Sequence, residues 1–187
     1  IIFRIQRSAV HLRLMLASLL AYSRYGRGAI SGKIASLPRV VTTVLENIGI
    51  DSDTRLAVDL GDIDWVRGDP ILIGHVMQNI VSNAMKFRAA DRSLLITIGS
   101  SVSTDGKVLV SVSDNGIGIE PRFADKVFDI FYRLHDNDEY EGTGIGLAIC
   151  KKIIGDHGGD IWVDREFSGG TKIHFTLRAA DELPLAV

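Results

Sequence analysis

A single cysteine, Cys150, is present among 187 residues, so no disulfide can form within the chain. That suits a reducing compartment, and a cytoplasmic setting is expected. Long apolar runs are missing too. The run from Leu14 to Tyr22 is flanked by Arg13 and Arg24 and falls well short of the roughly 20 residues a membrane span needs. Excess charge is also lacking: 21 basic against 23 acidic residues give a net charge of −2, which removes the basic footprint of a nucleic-acid binder. His135, His157, His174 and Cys150 show no metal-ligand spacing, so no transition-metal site is expected. There is no internal repeat, no low-complexity tract and no signal peptide. The chain opens Ile1-Ile2 without a methionine and reads as a piece of something longer.

What is present fits one or two soluble domains, since 46% hydrophobic residues can bury a real core. The charge is unevenly spread. Residues 1–33 carry Arg4, Arg7, Arg13, Arg24, Arg27 and Lys33 and no acid, which leaves the remainder at −8. Either a solvated helix face or an acidic partner accounts for the basic arm. Within it, Ile2, Ile5, Ala9, Leu12, Leu16, Leu19 and Ser23 recur in steps of three and four, the seam of a helical bundle over 2–25. Gly26, Gly28 and Gly32 end that helix. A second helix is expected over Leu37 to Ile48. Short strands follow over Arg55 to Leu60 and Ile63 to Arg67, with Gly61-Asp62 between them as a hairpin candidate. Asp69-Pro70 opens a helix running to about Phe87. Strands are expected over Leu94 to Ser100 and Lys107 to Ser113, then a helix over Glu120 to Tyr132 and a charged loop from Arg133 to Glu141. A helix over Gly144 to His157 and strands over Asp160 to Asp164 and Thr171 to Leu177 complete an α+β pattern: a mixed sheet with helices on one face.

Three clusters carry chemistry. A strand delivers Asp114 into Asn115-Gly116-Ile117-Gly118, which makes either an ordinary turn or the floor of a pocket where a carboxylate accepts from a ligand. On the helix after Pro70, His75, Asn79, Asn83 and Lys86 share one face, opposite Ile73, Val76, Met77, Ile80, Val81 and Ala84. Amide oxygens are hard ligands suited to Mg2+, and a lysine one turn on can pair with phosphate; a solvated polar face is the alternative. Gly142-Thr143-Gly144-Ile145-Gly146-Leu147 opens a helix with free N–H groups suited to phosphate, in neither the Walker A nor the dinucleotide frame. Phe128 and Phe131, three apart, are expected in the core, with Arg133 beyond them facing either a phosphate or solvent.

In this order the motifs resemble the catalytic ATP-binding domain of sensor histidine kinases, within the group that includes the gyrase B and Hsp90 ATPases. The N box is His75 to Phe87, the first glycine box Asp114 to Gly118, and the F box Phe128 to Arg133. The second glycine box is Gly142 to Leu147, and the last Gly169-Gly170-Thr171. The run from Arg133 through Lys152 looks most like the phytochrome-type, light-regulated kinases. The resemblance implies a two-layer α/β sandwich of the Bergerat type over residues 34–180, preceded by one long dimerisation helix in 1–33 and followed by a tail, 181–187. It implies ATP and Mg2+ as cofactors. Asp114 would accept from the adenine amino group, directly and through water shared with Thr171. Asn83 and Asn79 would hold Mg2+, while Lys86, Gly142, Gly144 and Gly146 face the phosphates. Phe87, Gly116, Gly118, Thr143 and Leu147 would complete the nucleotide site, and Arg133 would act with Asn83 and Lys86 in transfer. Residues 133–143 would form the lid.

Gyrase- and Hsp90-type ATPases place a Glu, as base for water, where Asn79 stands, so the resemblance favours phosphoryl transfer over hydrolysis. The expected acceptor is a histidine on a helix outside this chain, with onward transfer to a response-regulator Asp. Leu12 and Met15 leave His11 without the acceptor motif. Expected partners are a second copy through the N-terminal helix, a response-regulator receiver domain and the acceptor helix of the parent protein. A nucleotide-binding scaffold without autokinase activity and a serine kinase or ATPase of the same superfamily are the alternatives.

Overall fold

The computed structural model describes residues 33–103, 105–134 and 143–180. The helix expected over 2–25, His11, Gly142, most of the expected lid and the tail lie outside the described residues.

The order of elements is β1 (Ile34–Ser36), α1 (Leu37–Ile48), β2 (Arg55–Asp59), β3 (Trp65–Arg67), α2 (Pro70–Lys86), β4 (Leu95–Val102), β5 (Lys107–Asp114), α3 (Gly146–Asp156), β6 (Ile161–Val163) and β7 (Lys172–Ala179). The sheet runs β1-β3-β7-β5-β4-β2, with β6 beside β7. It is mixed: β2 lies parallel to β4 and every other pair is antiparallel.

Directly opposed residues share a face of a sheet. One row places Ile98, Val112, Ile173 and Val163 side by side, and the next places Val110, Phe175 and Ile161. All seven are buried. The helices cover this face, with α2 between α1 and α3. Each helix buries the stripe its sequence marks. In α2 the buried residues are Ile73, Val76, Met77, Ile80, Val81 and Ala84, each contributing about 1–3 kcal/mol by area. Local chemistry sets the ends: Asp69 caps α2 and Pro70 follows it, while Ser36 caps α1 and Gly49, at φ 67°, stops it.

Three expectations are corrected. The strands flanking Gly61-Asp62 form no hairpin: β2 pairs with β4 and β3 with β1 and β7, so 60–64 crosses between separate parts of the sheet. The segment 120–132 is not one helix but two 3-10 turns, Pro121–Phe123 and Lys126–Phe128. Asp129 then turns extended and Phe131 takes φ 67°. Phe131 is therefore not core: its ring is 47% exposed, whereas Phe128 is buried. The short strand β1, pairing only with β3, was not anticipated.

Cys150 lies wholly inside, and burial pushes its thiol pKa up to about 12. Alkylation of Cys150 at mildly alkaline pH is expected to follow the urea unfolding transition. Fast labelling of the native chain would contradict this burial.

Candidate nucleotide site

Asp114 ends the core-facing row of β5. It stands two residues past Val112 and opposite Ile96, where the apolar layer gives way to a cavity of about 310 Å3. Its Oδ1 accepts from the N–H groups of Gly116 at 2.8 Å and Thr171 at 3.2 Å. Both bonds fall on one oxygen, so the rotamer is fixed and Oδ2 is unclaimed among the described residues. Burial raises the pKa of this carboxyl above its ordinary value, against the two N–H groups that favour the charged form. Asn115 secures the turn. Its Oδ1 accepts from Leu95 N at 2.8 Å and its Nδ2 donates to Ser93 O at 3.0 Å, extending the β4–β5 ladder past its last pair.

Helix α2 supplies another wall. Asn79, Asn83 and Lys86 line the cavity from one face, with Phe87 at the end of the helix. The Asn79 Nδ2 donates to His75 O at 2.9 Å, one turn back. That leaves its Oδ1 directed at Gly146, where an added Cβ would stand only 2.6 Å from it. A side chain at 146 would push the Asn79 amide from this position, which marks the close approach of α3 to α2. The Lys86 Nζ lies 4.5 Å from the centre of the Phe87 ring, within cation–π range.

Helix α3 starts at the cavity. No side chain among the described residues caps its first turn, and Gly146 and Leu147 line the cavity together with Thr143 and Gly144. Unbonded N–H groups and the positive end of the helix dipole favour negative charge there. Across the opening, Phe131 N donates to Gly144 O at 3.0 Å, which joins the two ends of the segment 132–143. Tyr132, Arg133 and Leu134 face the cavity from that junction.

The structure thus brings Asn79, Asn83, Lys86, Phe87, Asp114, Gly118, Arg133, Thr143, Gly144, Gly146, Leu147 and Thr171 around one cavity. Gly116 stands behind the wall: it bonds Asp114, and its neighbour Ile117 donates to Phe87 O at 3.0 Å. Gly142 lies outside the described residues. Sequence reasoning missed the apolar walls, chiefly Val112, Ile173, Ile117 and Val127. The first two were within reach, because they share a strand face with Asp114 and Thr171 at a spacing of two. His75 is off the cavity, and His174 pairs with Asp164 at 3.3 Å beneath Trp162. No cluster of metal-ligating His, Cys, Asp or Glu occurs among the described residues, and no helix among them is long and apolar enough to cross a membrane.

Comparison with known proteins agrees with this geometry. Cyanobacterial phytochrome A of Nostoc sp. (strain PCC 7120) is 38% identical over 87% of this chain and 21% of its own length. Phytochrome-like protein Cph1 of Synechocystis sp. (strain PCC 6803) is 36% identical over 87% of this chain and 22% of its own. The chain therefore spans about a fifth of the length of these two relatives. Among solved structures, the mycobacterial sensor histidine kinase MprB superposes with a TM-score of 0.68 at 27% identity, over 79% of this chain and 99% of that one. Residues 68–181 match the family described as histidine kinase-, DNA gyrase B-, and HSP90-like ATPase. That match takes in the whole of the cavity-forming unit, and the chain belongs to this family.

Proposed function

We propose that the chain is the ATP-holding part of a sensor histidine kinase, passing the γ-phosphoryl to a histidine supplied from outside these residues. One observation carries the reading. The cavity has a fixed, unclaimed carboxylate oxygen at one end and two amides facing an uncapped helix start at the other. A purine amino group suits the first and a triphosphate the second.

The donor set fits Mg2+, since Asn79 and Asn83 offer amide oxygens there and no thiol or imidazole lines the cavity among the described residues. Asn79 and Asn83 would hold it, and when bound it supplies charge neutralisation on the phosphates. Lys86, Arg133 and the N–H groups at the start of α3 would hold the phosphate oxygens, orienting the terminal group toward an acceptor nitrogen. There a P–N bond forms as the bond to the β-phosphate oxygen breaks and ADP is released. Such transfer depends on positioning and charge. Asn79 supports transfer over hydrolysis. An amide cannot take a proton from water, and this one is already bonded to His75 O.

The parent protein would be of the phytochrome-like type, with residues 1–33 as the second helix of a dimerisation hairpin and a response-regulator receiver as the next acceptor. Calorimetric titration tests the first step. Saturable ATP binding, tightened by Mg2+, is expected. No binding at millimolar Mg2+-ATP would overturn the reading.

A further inference from the structure

His157 lies just past the C-terminal end of α3, 5% exposed, far from the cavity. Its Nδ1 is 2.7 Å from Ile153 O, and its Nε2 accepts from Asp69 N at 3.1 Å. One neutral tautomer, with the proton on Nδ1, satisfies both. Asp69 is the cap of α2. Its Oδ1 accepts from Ile71 N at 2.8 Å and Leu72 N at 3.4 Å, and its Oδ2 takes Lys33 Nζ at 2.5 Å. The ring also rests on Gly68, where a Cβ would stand 2.5 Å from His157 Cδ2.

Helices α2 and α3 are therefore antiparallel, and α3 meets α2 at both of its own ends, once at the start of α2 and once at its middle. His157 meets Asp69 at one end, and Gly146 meets Asn79 at the other. Cys150 Sγ lies 3.9 Å from Val76 O between them. At 1.5 Å per residue, Asn79 is about 15 Å along α2 from Asp69, and Gly146 about 16 Å back along α3 from His157. Near-rigid helices transmit a shift at one end to the other, because packed interiors do not deform continuously.

We propose that His157 is a positioning residue of the nucleotide site. Its bond to Asp69 sets the register between α2 and α3, and so how Asn79 and Asn83 face the phosphate-binding start of α3. Lys33 joins the same chain of contacts through Asp69 Oδ2. The adenine end, built on β5 and β7, is not part of this linkage. The inference rests on the proposed function for the identity of the ligand.

The test compares nucleotide affinity in Mg2+ and in EDTA for the 187-residue chain and three variants, His157→Gln, His157→Asn and Gly68→Ala, with Tm measured alongside. Gln reaches the position of Nε2 and can keep the Asp69 bond; Asn reaches only the position of Nδ1 and keeps the Ile153 bond. Gly68→Ala crowds the ring and the Ile73 side chain alike, at a φ of 157° that side chains rarely adopt. The Mg2+-dependent gain is expected to fall about tenfold in His157→Asn and Gly68→Ala and to survive in His157→Gln. Affinity in EDTA should hold in all three, which also reports that each variant is folded. An unchanged Mg2+ gain in all three variants, or equal losses in Gln and Asn in step with Tm, would overturn the inference while leaving the proposed function intact. Absence of nucleotide binding by the unaltered chain would instead remove the proposed function beneath it.

Discussion

Replacing Asp114 by Asn is expected to weaken ATP binding about 100-fold while making the empty protein more stable. The two effects have one origin. The carboxylate is held by Gly116 N and Thr171 N on Oδ1, so an Asn in the same rotamer would give its oxygen to those N–H groups. Its NH2 would then face the amino group of adenine, donor against donor. Losing a bond to a charged acceptor and stranding a donor together cost about 3 kcal/mol, or about two orders of magnitude in affinity.

Stability moves the other way. The folded pKa of Asp114 is raised by burial, so folding favours the neutral acid. That preference is fully present below the unfolded pKa and is lost as pH rises through the folded one, so at neutral pH the ionised group destabilises the empty fold. Asn cannot ionise and removes the penalty. Thermal melts of the empty chain should show the variant ahead at pH 7, with the gap closing toward the ordinary carboxyl value of 3.8. ATP affinity of the unaltered chain should fall on acidification through the raised pKa. Equal affinity of variant and parent at pH 7 would remove adenine from this end of the cavity.

The second large effect is expected at Asn83. Truncation to Ala removes an amide oxygen from the wall shared by α2 and the start of α3. Phosphoryl transfer should drop about 100- to 1000-fold, the usual consequence of losing one preorganised group around developing charge. Binding in EDTA should change little, because the proposed adenine end, at Asp114 and Thr171, lies apart from Asn83. Single-turnover transfer separates this from a folding defect. A variant transferring at the parent rate would mean that Mg2+ is held elsewhere.

Much of this site could be read from the chain because its determinants are local. The stripe of α2, its Asp69-Pro70 start and the strand ending in Asp114 each follow from spacing and caps within a few residues. What escaped the sequence depends on long-range pairing. Gly61-Asp62 has the chemistry of a tight turn, yet β2 is drawn to β4, on the far side of β5 and β7 from β3. Phe123, Val127, Phe128 and Phe131 are spaced like a helix face, but the chain past Lys126–Phe128 is bent to meet Gly144, and Phe131 is left exposed in the left-handed region. His157 carried no signal at all, because only the antiparallel register of α2 and α3 brings it to Asp69.

These residues are proposed to load ATP for an acceptor supplied from outside them. Radiolabelled γ-phosphate ATP, Mg2+ and the chain should be combined with a separate helical hairpin carrying the acceptor histidine. Acid-labile label on the hairpin, little on the chain and little free phosphate without the hairpin is the predicted result. Rapid release of phosphate in the absence of any acceptor would contradict it and mark the chain as an ATPase.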